Sequence, residues 1–331
     1  MTLYSELLER HRVRPVEAVY WLLLVMIVFV FSHYLAIATT VVVMALFALS
    51  LDLVLGFAGI VTLGHAAYFG IGAYAASLLA LGGLHEAISG ALLAGITAAI
   101  VALLLGPLLL LLEGLPLIMV TMAIGAILFE AANKASWLTG GDDGLRGFEF
   151  TPLLGFFDWT IFGYTAYLYS LAWLFVLFVV ARRVVGSPFG VALQGIRENR
   201  VRMRLIGAPV VGHLVRAYVL SAFMAGIAGA VYAQTNQFVS LEVLSTDTSV
   251  DVVVMLVLGG IGRLYGGLVG APVYVLVKHF AAQWNPYNWM FLIGALLIVA
   301  VRFGHGGLLG ILSTARGSVL GLGRRRTGGT K

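Results

Sequence analysis

The sequence predicts an all-α, polytopic bundle of about 8–10 transmembrane helices, because it is too apolar and too poor in charge for a water-soluble domain. Hydrophobic residues make up 61% of the 331 residues and charged residues only 11%, against about a quarter charged in a typical soluble domain. Runs of about 20 apolar residues recur along the chain, each long enough to cross a bilayer core of about 30 Å. Short segments of alternating hydrophobicity, which mark a membrane barrel, are not evident.

Ten hydrophobic stretches are expected to form the spans. Pro15 and Pro116 suit the first turns of the first and fifth, because a first-turn residue needs no N–H partner. The eighth stretch is short and ends in GGIGRLYGG, so we expect it to be broken or re-entrant. The expected bounds are Ala18–Tyr34, Ala36–Leu55, Gly59–Leu81, Ala87–Leu112, Leu115–Ala135, Tyr164–Ala181, Leu214–Ala233, Val250–Ile261, Leu268–Phe280 and Asn288–Val301.

Basic residues predict the orientation of these spans. Ten spans place both termini on one side, and 17 of the 20 lysines and arginines then fall on that side, which the positive-inside rule makes cytoplasmic. The expected organisation is a cytoplasmic segment at 1–17, a transmembrane domain at 18–303 and a basic cytoplasmic tail at 304–331. The net charge of +5 therefore reports orientation in the lipid bilayer and does not indicate nucleic-acid binding.

Chemistry-bearing motifs are scarce. Cysteine is absent, which excludes disulfides, a thiolate nucleophile and a cysteine-ligated metal. The seven histidines are scattered, and neither a Ser–His–Asp arrangement nor a paired-carboxylate site is legible. We therefore expect no catalytic residue, no metal and no cofactor, which disfavours a membrane-embedded enzyme.

The segment 187–209 is the longest stretch that cannot lie in lipid. Ile196, Met203 and Ile206 share one face of a predicted helix, with Gly195 and Arg202 close by. Such a helix can fit a groove on a cytoplasmic partner; the alternative is a solvated basic loop that only sets topology. Six polar residues crowd into eight positions: Arg197, Glu198, Asn199, Arg200, Arg202 and Arg204.

The glycine-rich third span is the candidate translocation pathway. Its glycines lower helical stability, by up to about 1 kcal/mol each relative to alanine, and broken backbone is tolerated at membrane depth only against protein or a cavity. The alternative is close helix packing, with His65 bonded to a neighbouring carbonyl. The candidate pathway residues are Thr62, Gly64, His65 and Tyr74, together with Asn133 at the end of the fifth span.

Several polar groups are expected near the outer side. Glu130 and Lys134 have the favourable order for an intrahelical ion pair. Asp142 and Asp143 can cap a helix or contact a partner, and the loop lacks the six or more oxygens of a calcium site. Gln234, Asn236 and Gln237 are expected to form a solvated exit from the seventh span, with lining of the pathway as the alternative. The motif GGIGRLYGG is expected to form a tight turn rather than a phosphate cradle.

Four motifs together carry a resemblance that covers roughly 46–301. They are the order Gly-Ile-Arg-Glu-Asn before Leu-Ile-Gly in the insert, LGFAGIVTLGHAAYFGIGAYAASLL (Leu55–Leu79), TGGDDGL (Thr139–Leu145), and the C-terminal pair Ala217–Ala233 and Val252–Val273. In this order they resemble the branched-chain amino acid ABC transporter permeases, the LivM-type subunit in particular.

The resemblance implies a non-enzymatic subunit of an ATP-driven importer in the bacterial inner membrane. Its implied partners are two cytoplasmic ABC ATPase subunits, a second related permease, more in keeping with a heterodimer than a homodimer, and a periplasmic substrate-binding protein that faces Asp142 and Asp143. This chain has no GxxxxGK[ST] motif of its own. The residues implied to contact the ATPase are Ile196, Arg197, Glu198, Asn199, Arg202, Met203 and Gly207.

Two alternatives remain for the cargo and its driving force. Permeases similar to this family carry urea, short amides or aromatic acids, and the binding protein rather than the permease sets most of the selectivity. An ion-coupled secondary transporter needs acidic residues within the spans, and only Asp52, Glu130 and Asp251 qualify, all near expected span ends. That class of transporter also leaves the 187–209 insert unexplained.

Overall fold

The computed structural model describes residues 15–30, 34–148, 150–152, 157, 159, 163–284, 290–291, 293–295, 298, 307–308 and 310. Apart from the isolated antiparallel bridge between Leu145 and Val239 and a bridge position at Phe157, the regular structure of these residues is helical. The N-terminal segment up to residue 14, most of the expected tenth span and the basic tail beyond 310 lie outside the described residues.

Nine of the ten expected spans are helices in the described part of the chain. A π-helical stretch, Asp52–Phe57, continues the second helix, and short 3₁₀ turns occur at Gly141–Asp143 and Leu241–Leu244. The α-helices are α1 Pro15–Val30, α2 Leu35–Leu51, α3 His65–Leu81, α4 Ala87–Leu109, α5 Leu115–Lys134, α6 Ser136–Thr139, α7 Tyr164–Gly186, α8 Pro188–Glu198, α9 Arg200–Leu205, α10 Val210–Asn236, α11 Thr246–Gly259 and α12 Tyr265–Trp284.

Five helices of the described residues are long and apolar enough to cross a membrane: α2 with its π-helical extension, α4, α5, α7 and α10. The apolar helices α1 and α3 are shorter. Helix α11 has 14 residues and spans about 21 Å at 1.5 Å per residue, less than a bilayer core. The helix at the expected eighth span is therefore short, as the sequence predicts, and it is continuous from Thr246 to Gly259.

Several span boundaries differ from the sequence prediction, most of all the start of the third span. The third span was expected from Gly59, but its helix begins at His65, and residues 58–64 form an irregular connection. The backbone breaks where the glycines concentrate, because Gly59 adopts a left-handed conformation with φ of 71° that ends the preceding helix. The ninth span begins at Tyr265, earlier than the expected Leu268, and runs to Trp284.

Helix α2 lies at the centre of the bundle and packs against α7, α10 and α12. In the most apolar stretch of α2 with its π-helical extension, 83% of the residues are buried, against 17% in α5. Helix α5 therefore lies at the periphery. It starts with Pro116 in its first turn, as the sequence predicts.

Glycines let α10 approach α3 and α4 very closely. A Cβ at Gly229 would lie 1.8 Å from the carbonyl oxygen of Phe69 in α3, and one at Gly72 would lie 2.1 Å from the carbonyl oxygen of Gly226. On the neighbouring side, a Cβ at Gly226 would lie 2.6 Å from Cβ of Ala98 in α4. Small residues at such crossings allow the backbone contact on which helix association in lipid depends.

The loops sort onto two ends of the bundle as the predicted topology requires. At one end the 187–209 insert contacts Gly56, Glu113 and the Gly262 turn. At the other end Thr151 bonds to the carbonyl oxygen of His85, and Leu145 pairs with Val239. The segments expected on the same side are therefore found together.

Candidate functional site

The 187–209 insert forms two helices that meet at Asn199, and not the single helix that the sequence suggested. Helix α8 begins with Pro188 in its first turn and with Ser187 as its cap. Asn199 is extended (φ −159°, ψ 100°), and its Oδ1 accepts a hydrogen bond of 2.8 Å from the backbone N–H of Arg202. Asn199 thus ends α8 and caps α9.

The break at Asn199 divides the predicted apolar face. Ile196 is fully buried within the chain, and the sulfur of Met203 packs against Gly195. The exposed apolar side chains of the insert belong to α9 and the turn after it: Val201 is 64% exposed, Leu205 83% and Ile206 71%. Glu198, Arg202 and Gly207 are also exposed, and Gly207 ends the segment with a φ of 86°.

Arg197 points from the end of α8 into a socket formed by three glycines. Its Nη1 donates to the carbonyl oxygen of Gly56 in the π-helical stretch. A Cβ at Gly59 would lie 2.8 Å from Cγ of Arg197, and one at Gly262 would lie 2.8 Å from Nη1. These three glycines come from the end of the second span, the irregular connection and the turn between α11 and α12, so Arg197 joins all three segments to the insert.

The carboxylate of Asp52 lies against Gly56 and Gly262 of the same socket. Its Oδ1 accepts a hydrogen bond of 2.7 Å from the backbone N–H of Gly262, and the charge of Arg197 acts on its carboxylate. Oδ2 has no hydrogen-bond partner among the described residues. Asp52 lies near the end of the second span, as the sequence predicts, and it is fully buried at the start of the π-helical stretch.

Charged residues fix the insert to a second loop. Glu113, which lies between α4 and α5, pairs with Arg200 at 3.1 Å and with Arg204 at 3.2 Å. Its side chain is 52% exposed, so each pair contributes little to stability. The pairs still orient α9 relative to the two long helices that flank the Glu113 loop.

The irregular connection between the second and third spans lies against α5, and the first turn of α3 lies against α11. A Cβ at Gly64 would lie 2.2 Å from the carbonyl oxygen of Thr121 in α5, and the N–H of Ala66 donates to Oγ of Ser249 in α11 at 3.0 Å. Thr62 is fully buried, and its Oγ1 accepts from the N–H of Gly64 at 3.2 Å. Protein therefore packs closely against this unwound segment, which is the condition under which irregular backbone is tolerated among membrane spans.

His65 ties α3 to α2 and α10 through hydroxyls, and not through the carbonyl that the packing alternative assumed. Its Nε2 lies 3.0 Å from Oγ of Ser50 and 3.4 Å from Oγ of Ser221. Both serines already donate their protons to carbonyl oxygens, those of Phe47 and of Ser50 itself. With both hydroxyls donating in this way, a ring proton on Nε2 satisfies the contact with Ser50, and Nδ1 has no partner among the described residues.

The other two candidate pathway residues lie away from this cluster. Tyr74 follows His65 by nine positions on α3, about 13 Å along the axis, and its buried hydroxyl has no partner among the described residues. Asn133 is half-buried near the end of α5, twelve positions and about 18 Å from Thr121. The structure therefore brings together Thr62, Gly64 and His65, and not all five.

The opposite end of the bundle carries the remaining predicted residues. Asp142 and Asp143 form an exposed 3₁₀ turn, and Glu130 pairs with Lys134 at 3.6 Å. The prediction that Gln234 is solvated is wrong, because its side chain is fully buried, donates to the carbonyl oxygen of Ala87 at 2.7 Å and accepts from Tyr169 at 2.7 Å.

Comparisons with known proteins agree with this architecture. A family model described as "Branched-chain amino acid transport system / permease component" matches residues 33–301. The chain is 29% identical, over 299 aligned residues, to the high-affinity branched-chain amino acid transport system permease protein LivM of Salmonella typhimurium, covering 82% of this chain and 69% of that protein. The LivM protein of Escherichia coli matches with the same identity and coverage.

A more distant relative extends the comparison to an archaeon. The probable branched-chain amino acid transport permease protein LivM of Methanocaldococcus jannaschii is 26% identical over 119 residues, which are 35% of this chain and 34% of that protein. No solved structure matches the chain. The family model covers α2 to α12, and with them the glycine socket around Arg197, the irregular connection at 58–64 and the 187–209 insert. This multi-pass membrane protein therefore belongs to the family of branched-chain amino acid transport permeases.

Proposed function

We propose that this chain is one membrane-spanning subunit of an ATP-driven ABC importer that carries branched-chain amino acids across the bacterial inner membrane. The observation that carries the proposal is the exposed apolar surface of α9 and the turn after it, formed by Val201, Leu205 and Ile206. It is supported by the family match, which extends over residues 33–301 and so over α2 to α12. The chain itself does not hydrolyse ATP.

In this proposal two ATPase subunits bind the insert from the cytoplasm. We name the surface formed by Val201, Arg202, Leu205, Ile206 and Gly207 the docking surface. These residues are exposed, whereas Ile196 is buried and Asn199 caps a helix. Of the seven residues that the family resemblance implied, Arg202 and Gly207 lie on the docking surface. Glu198 and Arg197 are also exposed, but Arg197 contacts the three glycines of the socket and Met203 contacts Gly195.

The other two partners in this proposal are a second permease and a substrate-binding protein. A second related permease completes the pathway against this subunit, and a periplasmic binding protein delivers the substrate to the end that carries Asp142 and Asp143. Both termini of this subunit are cytoplasmic in this arrangement. ATP binding closes the ATPases, the bound inserts move, and substrate access alternates between the two sides because nucleotide and substrate bias the same pair of conformations.

Reconstituted transport tests the proposal. The chain is co-expressed with an ATPase pair, a related permease and a binding protein from the same genomic neighbourhood, and the complex is placed in liposomes with radiolabelled leucine. Uptake is expected to require ATP and the binding protein, and to be competed by unlabelled isoleucine and valine. Competition by urea, a short amide or phenylalanine alone would contradict the substrate assignment, and leucine transport by the purified chain under an ion gradient would contradict ATP coupling.

A further inference from the structure

The three glycines around Arg197 form a socket that only glycines permit. A Cβ at Gly56 would lie 2.0 Å from Oδ1 of Asp52 and 2.6 Å from the backbone nitrogen of Gly262. Gly59 and Gly262 have φ values of 71° and 75°, which side chains rarely adopt. Each of the three positions is thus restricted by its contacts, and two of them also by backbone conformation.

The π-helical stretch explains why Arg197 bonds to Gly56. The helix ends at Phe57, so no further helical turn supplies an N–H for the carbonyl of Gly56. Cations are favoured at such a C-terminus, because the last carbonyls carry a partial negative charge. The guanidinium of Arg197 supplies both the donor and the charge, and its charge also acts on the buried carboxylate of Asp52.

The socket connects the insert to helices that are not continuous with it. By covalent connection, a displaced insert pulls only on α7 and α10. Through Arg197 it also contacts the end of the central span and, through Gly262, the turn between α11 and α12. The Oδ1 bond from Gly262 to Asp52 holds that turn against the same stretch.

We propose that Arg197 is a positioning residue that transmits movement of the insert to the central span and to α11 and α12. The inference rests on the proposed function, because it assumes that an ATPase moves the insert. Without the Arg197 contact, the ATPases still bind and still hydrolyse ATP, but less of their movement is transmitted to the irregular connection at 58–64. The predicted consequence is uncoupling and not loss of assembly.

The test measures leucine transported per ATP hydrolysed in the reconstituted complex. Arg197→Gln removes the donor and the charge, and Gly262→Ala displaces the guanidinium without altering the insert. Both are expected to lower the ratio by about tenfold while ATPase recovery on purification stays unchanged, and Arg197→Lys is expected to restore part of it. Two variants serve as controls. Arg183→Gln removes an exposed arginine at the end of α7 that adjoins the insert, and it is the control for Arg197→Gln. Gly83→Ala places a Cβ at a glycine with positive φ and nothing within 4 Å, and it is the control for Gly262→Ala.

The outcomes separate the positioning role from the proposed function. If the unmodified complex shows no ATP-dependent uptake, the proposed function fails. If it transports and both socket variants keep the normal ratio, or lose it only as far as the controls do, the positioning role is overturned. If Arg197→Gln and Gly262→Ala fail to bind the ATPase while both controls bind it, Arg197 acts in folding or docking, which also overturns the inference.

Discussion

Replacement of Gly229 by leucine is expected to prevent α10 from packing against α3, with the largest loss of stability of any change considered. A Cβ at this position would lie 1.8 Å from the carbonyl oxygen of Phe69 and 2.9 Å from the backbone nitrogen of Ala73. Backbone atoms cannot rotate away as a side chain can, so the two helices must separate. We expect a loss of at least about 3 kcal/mol, the upper range for overpacking, measured as a lower thermal midpoint in detergent.

A matched control lies on the same helix. Gly212 is exposed, and a Cβ there would have nothing within 4 Å, so Gly212→Ala is expected to stabilise α10 by up to about 1 kcal/mol through helix propensity alone. The packing account is contradicted if Gly229→Leu and Gly212→Ala give the same thermal midpoint as the unmodified chain.

Replacement of Leu205 by aspartate is expected to remove the ATPase from the complex. Leu205 is 83% exposed and lies at the end of α9 beside Ile206, so the folded subunit loses little internal contact. An apolar anchor in a partner groove typically contributes 2 kcal/mol or more, which corresponds to at least about 30-fold in affinity. The measurement is the amount of ATPase that co-purifies with the tagged subunit.

The conservative change Leu205→Met is the control for this prediction, because it keeps an apolar side chain of similar size. It is expected to retain the ATPase. Equal recovery with aspartate and methionine would show that α9 contacts lipid or solvent and that the docking surface lies elsewhere.

Much of the bundle could be predicted from local sequence. The apolar runs predicted nine of the helices in the described residues, because a run of about 20 apolar residues is typical of a membrane-spanning helix. Pro116 marked the start of α5, and the glycines after Leu258 marked the turn before α12. These signals are local, because each depends on residues within one helical turn or one span.

The candidate site depends on contacts that local patterns do not contain. Arg197 and Gly56 are 141 positions apart, and His65 and Ser221 are 156 apart. The split of the insert at Asn199 was missed because helical periodicity continues across it, and the capping role of its side chain competes with helix continuation. The burial of Gln234 was missed for a similar reason: its partners Ala87 and Tyr169 come from two other helices.

The central claim is that the insert faces the compartment that contains ATP. The sequence has no cysteine, so Leu205→Cys and Asp143→Cys each introduce one thiol, at opposite ends of the bundle. A membrane-impermeant maleimide applied to intact spheroplasts is expected to label Asp143→Cys at once and Leu205→Cys only after the membrane is permeabilised. Labelling of Leu205→Cys in intact spheroplasts, with Asp143→Cys protected, would contradict the account.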